Sequence, residues 1–246
     1  MTLKILHVSD IHIRKLKYHT EYREVFAQLY EKAAAEKPDI ILNTGDTFHT
    51  KTDLSSEAVQ MMSELFSNLA DIAPFHMILG NHDMNLRSLG RLDAISPVVD
   101  NLNHPNIHFH KYSDVISLTD DIDMHILSIV DPDNWTKTPN KKKTNIAVYH
   151  GSVKGVKTDM GWAMEHGDID ISELNKYDFA LLGDIHKTNQ MVNSNPRFRY
   201  PGSLVQQNHG ETNDKGFIVW EIENKDSYGV RHCVLENPKP FVTIIL

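Results

Sequence analysis

A single cysteine, Cys233, rules out an internal disulfide and any Cys-rich zinc site, so metal chemistry in this chain has to rest on His, Asp and Asn. No apolar run reaches the ~18 residues that a membrane-crossing helix requires. The amino terminus, MTLKILHVSD, lacks the basic, then apolar, then small pattern of a secretory leader. The expectation is an intracellular protein with no membrane association. Positive charge is also in deficit: 25 Lys and Arg face 33 Asp and Glu, a formal net charge of −8. That balance excludes coating nucleic acid through the whole surface, so a polyanionic substrate would need a local positive site. With 246 residues, 40% of them hydrophobic, the chain can bury one sizeable core and is expected to form one large domain.

Short apolar runs at Lys4 to Val8, Ile40 to Leu42, Phe75 to Leu79, Ile126 to Val130, Ile146 to Tyr149 and Phe179 to Leu182 read as buried strands. Residues 21–36 and 55–72 carry apolar side chains at mixed three and four spacing, the helical period, with Pro38 and Ser55 as boundary signals. From Asn106 onward the strands are closely spaced, and Gly216 to Ile222, Gly229 to Leu235 and Phe241 to Leu246 suggest a terminal meander. The segment Asp131 to Lys143, rich in Pro, Asn and Lys, reads as an exposed loop. An alternating β/α front half and a strand-rich back half point to α/β layers around two sheets.

Five motifs each follow an apolar run: Asp10-Ile11-His12, Gly45-Asp46-Thr47-Phe48, Gly80-Asn81-His82-Asp83, His150-Gly151 and Gly183-Asp184-Ile185-His186. Residues that follow successive strands of an α/β sheet converge at the carboxyl ends of those strands, so these motifs would place Asp, His and Asn side chains in one cleft. Two divalent cations sharing a bridging anionic ligand suit such a set, and Asp46 is the natural bridge. The glycines before Asp46, Asn81 and Asp184 are expected to let the backbone turn sharply. Singly, a GD or HG pair is an ordinary turn, and most of the 15 histidines must be surface or core groups; the ordered set of five is what carries weight.

The series D-x-H, GD, GNHD, H and G-x-x-H resembles the calcineurin-like metallophosphoesterase superfamily. Within it, GDTF followed by His49, then Tyr200-Pro201-Gly202-Ser203, then Gly216-Phe217 leading into Val219-Trp220-Glu221-Ile222, is similar to the SbcD-type nuclease subunit of DNA double-strand-break repair complexes in phage, bacteria, archaea and eukaryotes. The resemblance implies a four-layer αββα sandwich of two mixed sheets flanked by helices. It implies that Asp10, His12 and His186 hold a first metal, that Asp46 bridges, that Asn81 and His150 hold a second, and that His82 is the catalytic histidine. The family usually has a second-metal histidine where this chain has Asp184, a carboxylate that suits Mn²⁺ or Mg²⁺. Asp83 is expected to orient His82 from behind.

The implied activity is metal-dependent hydrolysis of DNA, with exonuclease action on duplex ends and endonuclease action on single strands. The implied cofactors are two divalent ions, Mn²⁺ preferred and Mg²⁺ accepted. The implied partners are DNA, an SbcC-type ATPase and, as an option, a second copy of the chain; the compartment would be the cytoplasm, the nucleoid or a phage host's cytoplasm. Arg14, Lys15, His49, Arg87 and Lys187 are candidate DNA contacts, each equally readable as a solvated loop residue. Phe48, His49, Tyr200 and Trp135 are candidates for stacking on unpaired bases, Phe48 and Tyr200 being as readily core residues. Residues 1–246 are read as the nuclease domain alone, the family's capping domain and ATPase-docking helices lying outside it by truncation. Two alternatives stand beside this reading: a phosphoesterase of the same fold acting on a phosphoprotein, cyclic nucleotide or small ester, and a non-catalytic interaction scaffold.

Overall fold

The computed structural model describes residues 2–52, 54–159 and 161–242. Its first half alternates strand and helix as the apolar periodicity requires. Strand β1 (Leu3–Val8) is followed by helix α1 (His19–Glu36), β2 (Ile40–Asn43), α2 (Ser56–Ile72) and β3 (Phe75–Ile78). Helix α1 buries Tyr22, Val25, Phe26, Leu29 and Ala33 along one stripe, and ends where Lys37 turns left-handed (φ 50°) with Pro38 next in the chain. Helix α2 starts on Ser55, whose hydroxyl accepts the Ala58 N–H at 3.2 Å. A short helix α3 (Ser96–Leu102), with Pro97 in its first turn, leads to β4 (Ile107–His110).

The remaining strands are β5 (Asp114–Thr119), β6 (Ile122–Leu127), β7 (Thr144–His150), β8 (Phe179–Gly183), β9 (Gln190–Val192), β10 (Asn195–Tyr200), β11 (Gly216–Ile222) and β12 (Tyr228–Val234). They and the first four form two six-stranded sheets, ordered β12-β11-β1-β2-β3-β4 and β5-β6-β7-β8-β10-β9. Both are mixed: β1 to β4 pair in parallel, as do β6, β7, β8 and β10, while β11, β12, β5 and β9 join antiparallel.

The sheets face one another across an apolar layer that includes Ile5, Leu42, Ile78, Met124, Val148, Leu181 and Trp220. The three helices cover the outer face of the first sheet, against Leu6, Val8, Ile41, Phe75 and Met77. The outer face of the second sheet is covered by the irregular segment 151–177, which contributes Val153, Val156, Leu174 and Tyr177. Two mixed sheets with flanking helices are thus present as expected. The strand expected at Ile126 to Val130 lies earlier, as β6, all six of whose residues are buried. Of the expected meander, β11 and β12 form, while residues 243–246 of its last run lie outside the described residues. No helix among the described residues is long and apolar enough to cross a membrane.

Candidate metal centre

Loops leaving the carboxyl ends of β1, β2, β3, β7 and β8 meet in one place. The β1 loop runs beside the β2 loop as a continued ladder, with Asp10, His12 and Ile13 donating their N–H groups to the carbonyls of Gly45, Asp46 and Thr47 at 3.1, 3.0 and 2.8 Å. Gly151 N–H reaches Gly183 O at 3.1 Å, joining the β7 and β8 loops. Only Gly45 serves as the expected sharp turn (φ 98°). At Gly80 and Gly183 the need is close approach instead. A Cβ on Gly80 would lie 2.0 Å from Asp46 Oδ1, and one on Gly183 would lie 2.3 Å from Thr44 O. The left-handed turns are taken by the site residues themselves: Asp10 (φ 51°), His12 (48°), Asp46 (55°) and Asp184 (101°). Asp and His are among the few non-glycine residues that tolerate this region, and such strain gathers at functional sites.

The donor atoms converge. His12 Nε2 lies 3.8 Å from Asp10 Oδ1, 3.6 Å from Asp46 Oδ2 and 3.0 Å from His186 Nε2. On the other side, His150 Nε2 lies 3.4 Å from Asp46 Oδ1 and 4.0 Å from Asp184 Oδ1. The two carboxylate oxygens of Asp46 therefore face histidines on opposite sides, the disposition a bridging ligand needs. Asn81 Nδ2 donates to Asp184 Oδ1 at 3.1 Å, which leaves its amide oxygen available. Among the described residues, three groups of potential ligands lie close enough to hold an ion: Asp10, His12 and His186; Asp10, Asp46 and His150; and His12, Asp46 and His82.

Two features fit this set to divalent cations. His150 is buried and its Nδ1 hydrogen-bonds Thr44 O at 2.7 Å, yet its Nε2 makes no hydrogen bond although it points at carboxylates. Burying such an atom unpaired is costly, and a cation satisfies it. His186 Nδ1 meets Glu211 Oε1 at 2.8 Å, a contact that fixes the proton there and turns the Nε2 lone pair toward His12. The donors are nitrogen and oxygen without thiolate, which suits borderline and hard ions.

The electrostatics agree. Burial alone would raise the Asp46 carboxyl, but His150 and His12 beside it hold it below the ordinary carboxylate range. Burial likewise depresses His150, yet Asp46, Asp10 and Asp184 outweigh it and lift that histidine well above its usual value. Burial, with Asp10 and Asp46 nearby, pushes the Asp184 carboxyl up to about 6. Crowded, buried carboxylates of this kind lack positive charge, which is what bound cations provide.

His82 stands beside the cluster. Its N–H donates to Asp46 Oδ1 at 2.8 Å, its ring lies 4.9 Å from that of His12, and its Nδ1 is held by His49 O at 2.6 Å. Asp83, expected behind His82, has another task. Its buried carboxylate accepts N–H groups of Thr47, Phe48 and Gly80 at 2.9, 3.2 and 3.0 Å, binding the β2 loop to the β3 loop. Backbone donors left without a partner by two adjacent tight loops outcompete the imidazole for it. Arg14 also differs from a free phosphate contact: its guanidinium donates to Gln207 O and Gln206 O at 2.7 and 3.2 Å and lies 4.1 Å over the Tyr18 ring. Lys15, His49 and Arg87 are exposed, and Lys187 is half-buried at a cleft beside His186. Phe48 and Tyr200 are fully buried core residues, and Trp135 is half-buried against Tyr149.

Glu211 and Lys215 belong to the site and follow none of its metal motifs. The Lys215 ammonium is buried between Glu211 Oε2 (3.2 Å), Asp159 Oδ2 (3.3 Å) and His186 O (2.8 Å). Burial opposes ionisation of Glu211, but His186 and Lys215 pull its carboxyl down to about 2. The Tyr200-Pro201-Gly202-Ser203 turn lies beneath: Ser203 N–H reaches His186 O at 3.2 Å, and its hydroxyl donates to Glu211 at 2.9 Å.

Residues 3–188 match the family model described as calcineurin-like phosphoesterase. An uncharacterised protein of Acanthamoeba polyphaga mimivirus is 38% identical over 237 residues, covering 91% of this chain and 18% of that protein. The DNA double-strand break repair protein Mre11 of Saccharolobus solfataricus is 28% identical over 203 residues (75% of this chain, 49% of that one), and that of Sulfurisphaera tokodaii 26% identical (74% and 49%). The chain thus spans about half the length of these archaeal relatives and less than a fifth of the viral one. A dimetal phosphatase from Danio rerio shares the fold, with a TM-score of 0.56 at 10% identity over 96% of this chain and 99% of that one. Fold and sequence match agree: the chain belongs to the calcineurin-like phosphoesterase family, and it brings together a candidate metal-binding site consistent with a metal-dependent hydrolase.

Proposed function

We propose that this phosphoesterase is a DNA nuclease, cutting duplex ends and single strands in double-strand-break repair or recombination beside an SbcC-type ATPase. The observation that carries the reading is that clefts open on both sides of the cluster. One, of about 330 Å³, reaches Asp184 and His186; another, of about 360 Å³, reaches Asn81 and His150. A polymer crossing the centre needs room on both flanks of the scissile phosphate, whereas a small ester needs one pocket. The resemblance to the archaeal Mre11 proteins supports the same choice.

Asp10, His12 and His186 would hold one cation, and Asn81, His150 and Asp184 the other, with Asp46 shared between them. When bound, the cations supply Lewis acidity and a hydroxide nucleophile near neutral pH. His82 acts on the leaving group: its Nδ1–H stays on the His49 carbonyl, and the doubly protonated ring gives its Nε2 proton to the departing 3′ oxygen, leaving the neutral Nδ1–H form. Asp83 keeps the loops of Asp46 and His82 in register, Lys187 contacts phosphate from the first cleft, and the exposed Lys15 and Arg87 contact phosphates farther along the strand.

Turnover of labelled duplex and single-stranded DNA, bis-p-nitrophenyl phosphate and p-nitrophenyl phosphate, titrated with Mn²⁺, Mg²⁺ and Zn²⁺, tests the reading. The expected result is Mn²⁺-dependent cleavage of both DNA forms, weak turnover of the diester and little of the monoester, with Zn²⁺ a poor substitute. Preference for the monoester would replace the nuclease by a small-ester phosphatase. Absence of all turnover would favour an interaction scaffold.

A further inference from the structure

The two clefts beside the cluster differ in chemistry. The one at Asp184 and His186 is lined by charged and amide side chains, among them Asp159, Lys187, Asn208 and Glu211. The other, of about 360 Å³, opens beside Asn81 and His150 and is lined mainly by Leu86, Ile129, Pro132, Trp135, Tyr149 and Ile169. Apart from the candidate ligand His150, the one charged side chain lining it is Asp168, whose Oδ2 accepts the Ser152 N–H and hydroxyl at 2.8 and 2.7 Å. This cleft therefore offers no cation to a phosphate. What it offers, within reach of the cluster, is apolar and aromatic surface.

Trp135 and Tyr149 supply the aromatic part. Their rings lie 5.3 Å apart at 73°, a corner in which a flat group stacked on one ring meets the other edge-on. Tyr149 immediately precedes His150 at the end of β7 and is nearly inaccessible to solvent, whereas Trp135 is half-buried and Leu86 is 44% exposed. The loop carrying Trp135 is tied on both sides. The Asp131 carboxylate accepts the Ser113 N–H and hydroxyl at 3.0 and 2.7 Å, and Thr136 O accepts the Tyr177 hydroxyl at 2.8 Å. The indole N–H donates to Ser128 O at 2.8 Å, which fixes the ring itself. A ring held in this way loses little freedom when a ligand arrives.

Resting on the nuclease reading above, we propose that this cleft is a nucleobase subsite: the nucleotide on the Asn81 and His150 side of the scissile phosphate turns its unpaired base into the corner of Trp135 and Tyr149, stacked on the indole, with Leu86 completing the apolar lining. The base is the one flat, largely apolar part of a nucleic-acid strand, and its faces are free only where the strand is unpaired and unstacked. The volume is near the lower bound of ligand pockets, roughly 300 Å³, and suits a single ring system. Stacking accepts every base, because each has a π-face, so the subsite selects unpaired strands and frayed ends without reading sequence.

The test compares a short oligo-dT with an abasic strand of the same length, both labelled, by anisotropy with Ca²⁺ and by cleavage with Mn²⁺. Wild type should bind oligo-dT about 10-fold more tightly than the abasic strand, as one stacked base contributes. Trp135→Leu should bring that ratio close to one, and Trp135→Phe should retain most of it. Leu86→Ala, a mild change at a partly exposed residue, should reduce it about 3-fold, and decides the matter if Trp135→Leu does not fold by circular dichroism. Both strands carry the same phosphates, so damage to the fold or to the metal centre weakens both alike and leaves the ratio in place. An unchanged ratio in these variants, or equal binding of the two strands by wild type, would overturn the subsite, and cleavage of DNA would then leave the nuclease reading standing. No binding or cleavage of either strand by wild type would overturn both.

Discussion

The two halves of the candidate metal centre present a histidine in the same way but support it differently. In one, the His186 ring is backed by the buried carboxylate of Glu211, itself paired with Lys215. In the other, the His150 ring is backed by a neutral carbonyl, Thr44 O. Either partner fixes the tautomer, but a carboxylate, being charged, makes the ring the stronger donor. The second half has its additional carboxylate, Asp184, on the open side of the ring, 4.0 Å from His150 Nε2. One half therefore has its extra negative charge behind the histidine, and the other has it in front. What this teaches is that departures from a family pattern at a ligand are best read together with the group behind its counterpart.

The sharpest way to break the comparison is to remove what the halves share. Asp46→Ala should abolish binding of both ions by calorimetry and reduce nuclease activity to background. His82→Ala should reduce turnover about 10²- to 10⁴-fold, the usual contribution of a proton-transferring side chain, with both ions still bound. Equal loss of metal affinity in the two variants would make His82 a ligand, as its place in a group with His12 and Asp46 permits.

A smaller effect sharpens the difference between the halves. Glu211→Gln should weaken one of two calorimetric Mn²⁺ sites by about 10- to 100-fold, as expected when the carboxylate behind a ligating histidine is lost. Asp184→Ala should weaken the other site, and Asp184→His should restore its affinity and lower the pH optimum. If both Glu211→Gln and Asp184→Ala weaken the same site, the assignment of halves is wrong.

The smallest expected effect lies away from both halves and calibrates any pH profile. His76, His108 and His110 stack between the sheets, with His76 Nδ1 3.0 Å from His110 Nε2. Burial first, then the neighbouring histidines, pushes His76 down to about 3; burial and His108 push His110 to about 4, against an upward pull from Asp114. These values lie below the unfolded value, so the unfolded chain binds more protons. Stability is full above about pH 6.5 and falls as pH drops toward 4. His76→Gln should reduce the difference in urea unfolding free energy between pH 7.5 and 5 by on the order of 1 kcal/mol. An unchanged difference would place the acid sensitivity elsewhere.

Much of this was legible in the sequence because the strands that aim the ligands are short, fully buried and followed at once by their motifs. β2, β3, β7 and β8 show this pattern throughout and β1 at every position but Lys4, and Asp46 has a histidine on each side. Elements that are only partly buried left weaker traces. β4 is half-buried throughout and β5 mixes half-buried and exposed residues, so no apolar run marks either, and α3 is too short for a period to emerge. Glu211 was hidden for a different reason: it is 25 residues beyond His186 and becomes its neighbour only through the fold. Its signal was an acidic residue between the Tyr200-Pro201-Gly202-Ser203 turn and Lys215-Gly216-Phe217. Asp83 was legible as important and misread in role, because backbone N–H groups of adjacent loops leave no letter in a sequence.

The left-handed backbone at Asp10, His12, Asp46 and Asp184 has a consequence for anyone wishing to transplant this chemistry. Copying the side chains onto another parallel sheet would give the right letters on the wrong turns, because each carboxylate or imidazole is aimed by a backbone state that most residues avoid. The portable unit is the set of interlocked loops, with Gly80 and Gly183 leaving room for their neighbours. The same constraint narrows what can be exchanged within the site. Asn, which shares the tolerance of Asp for that state, would keep the turn and remove the charge, whereas a β-branched replacement would disturb both. In a library built on this centre, Asp→Asn is therefore the substitution that isolates charge from conformation.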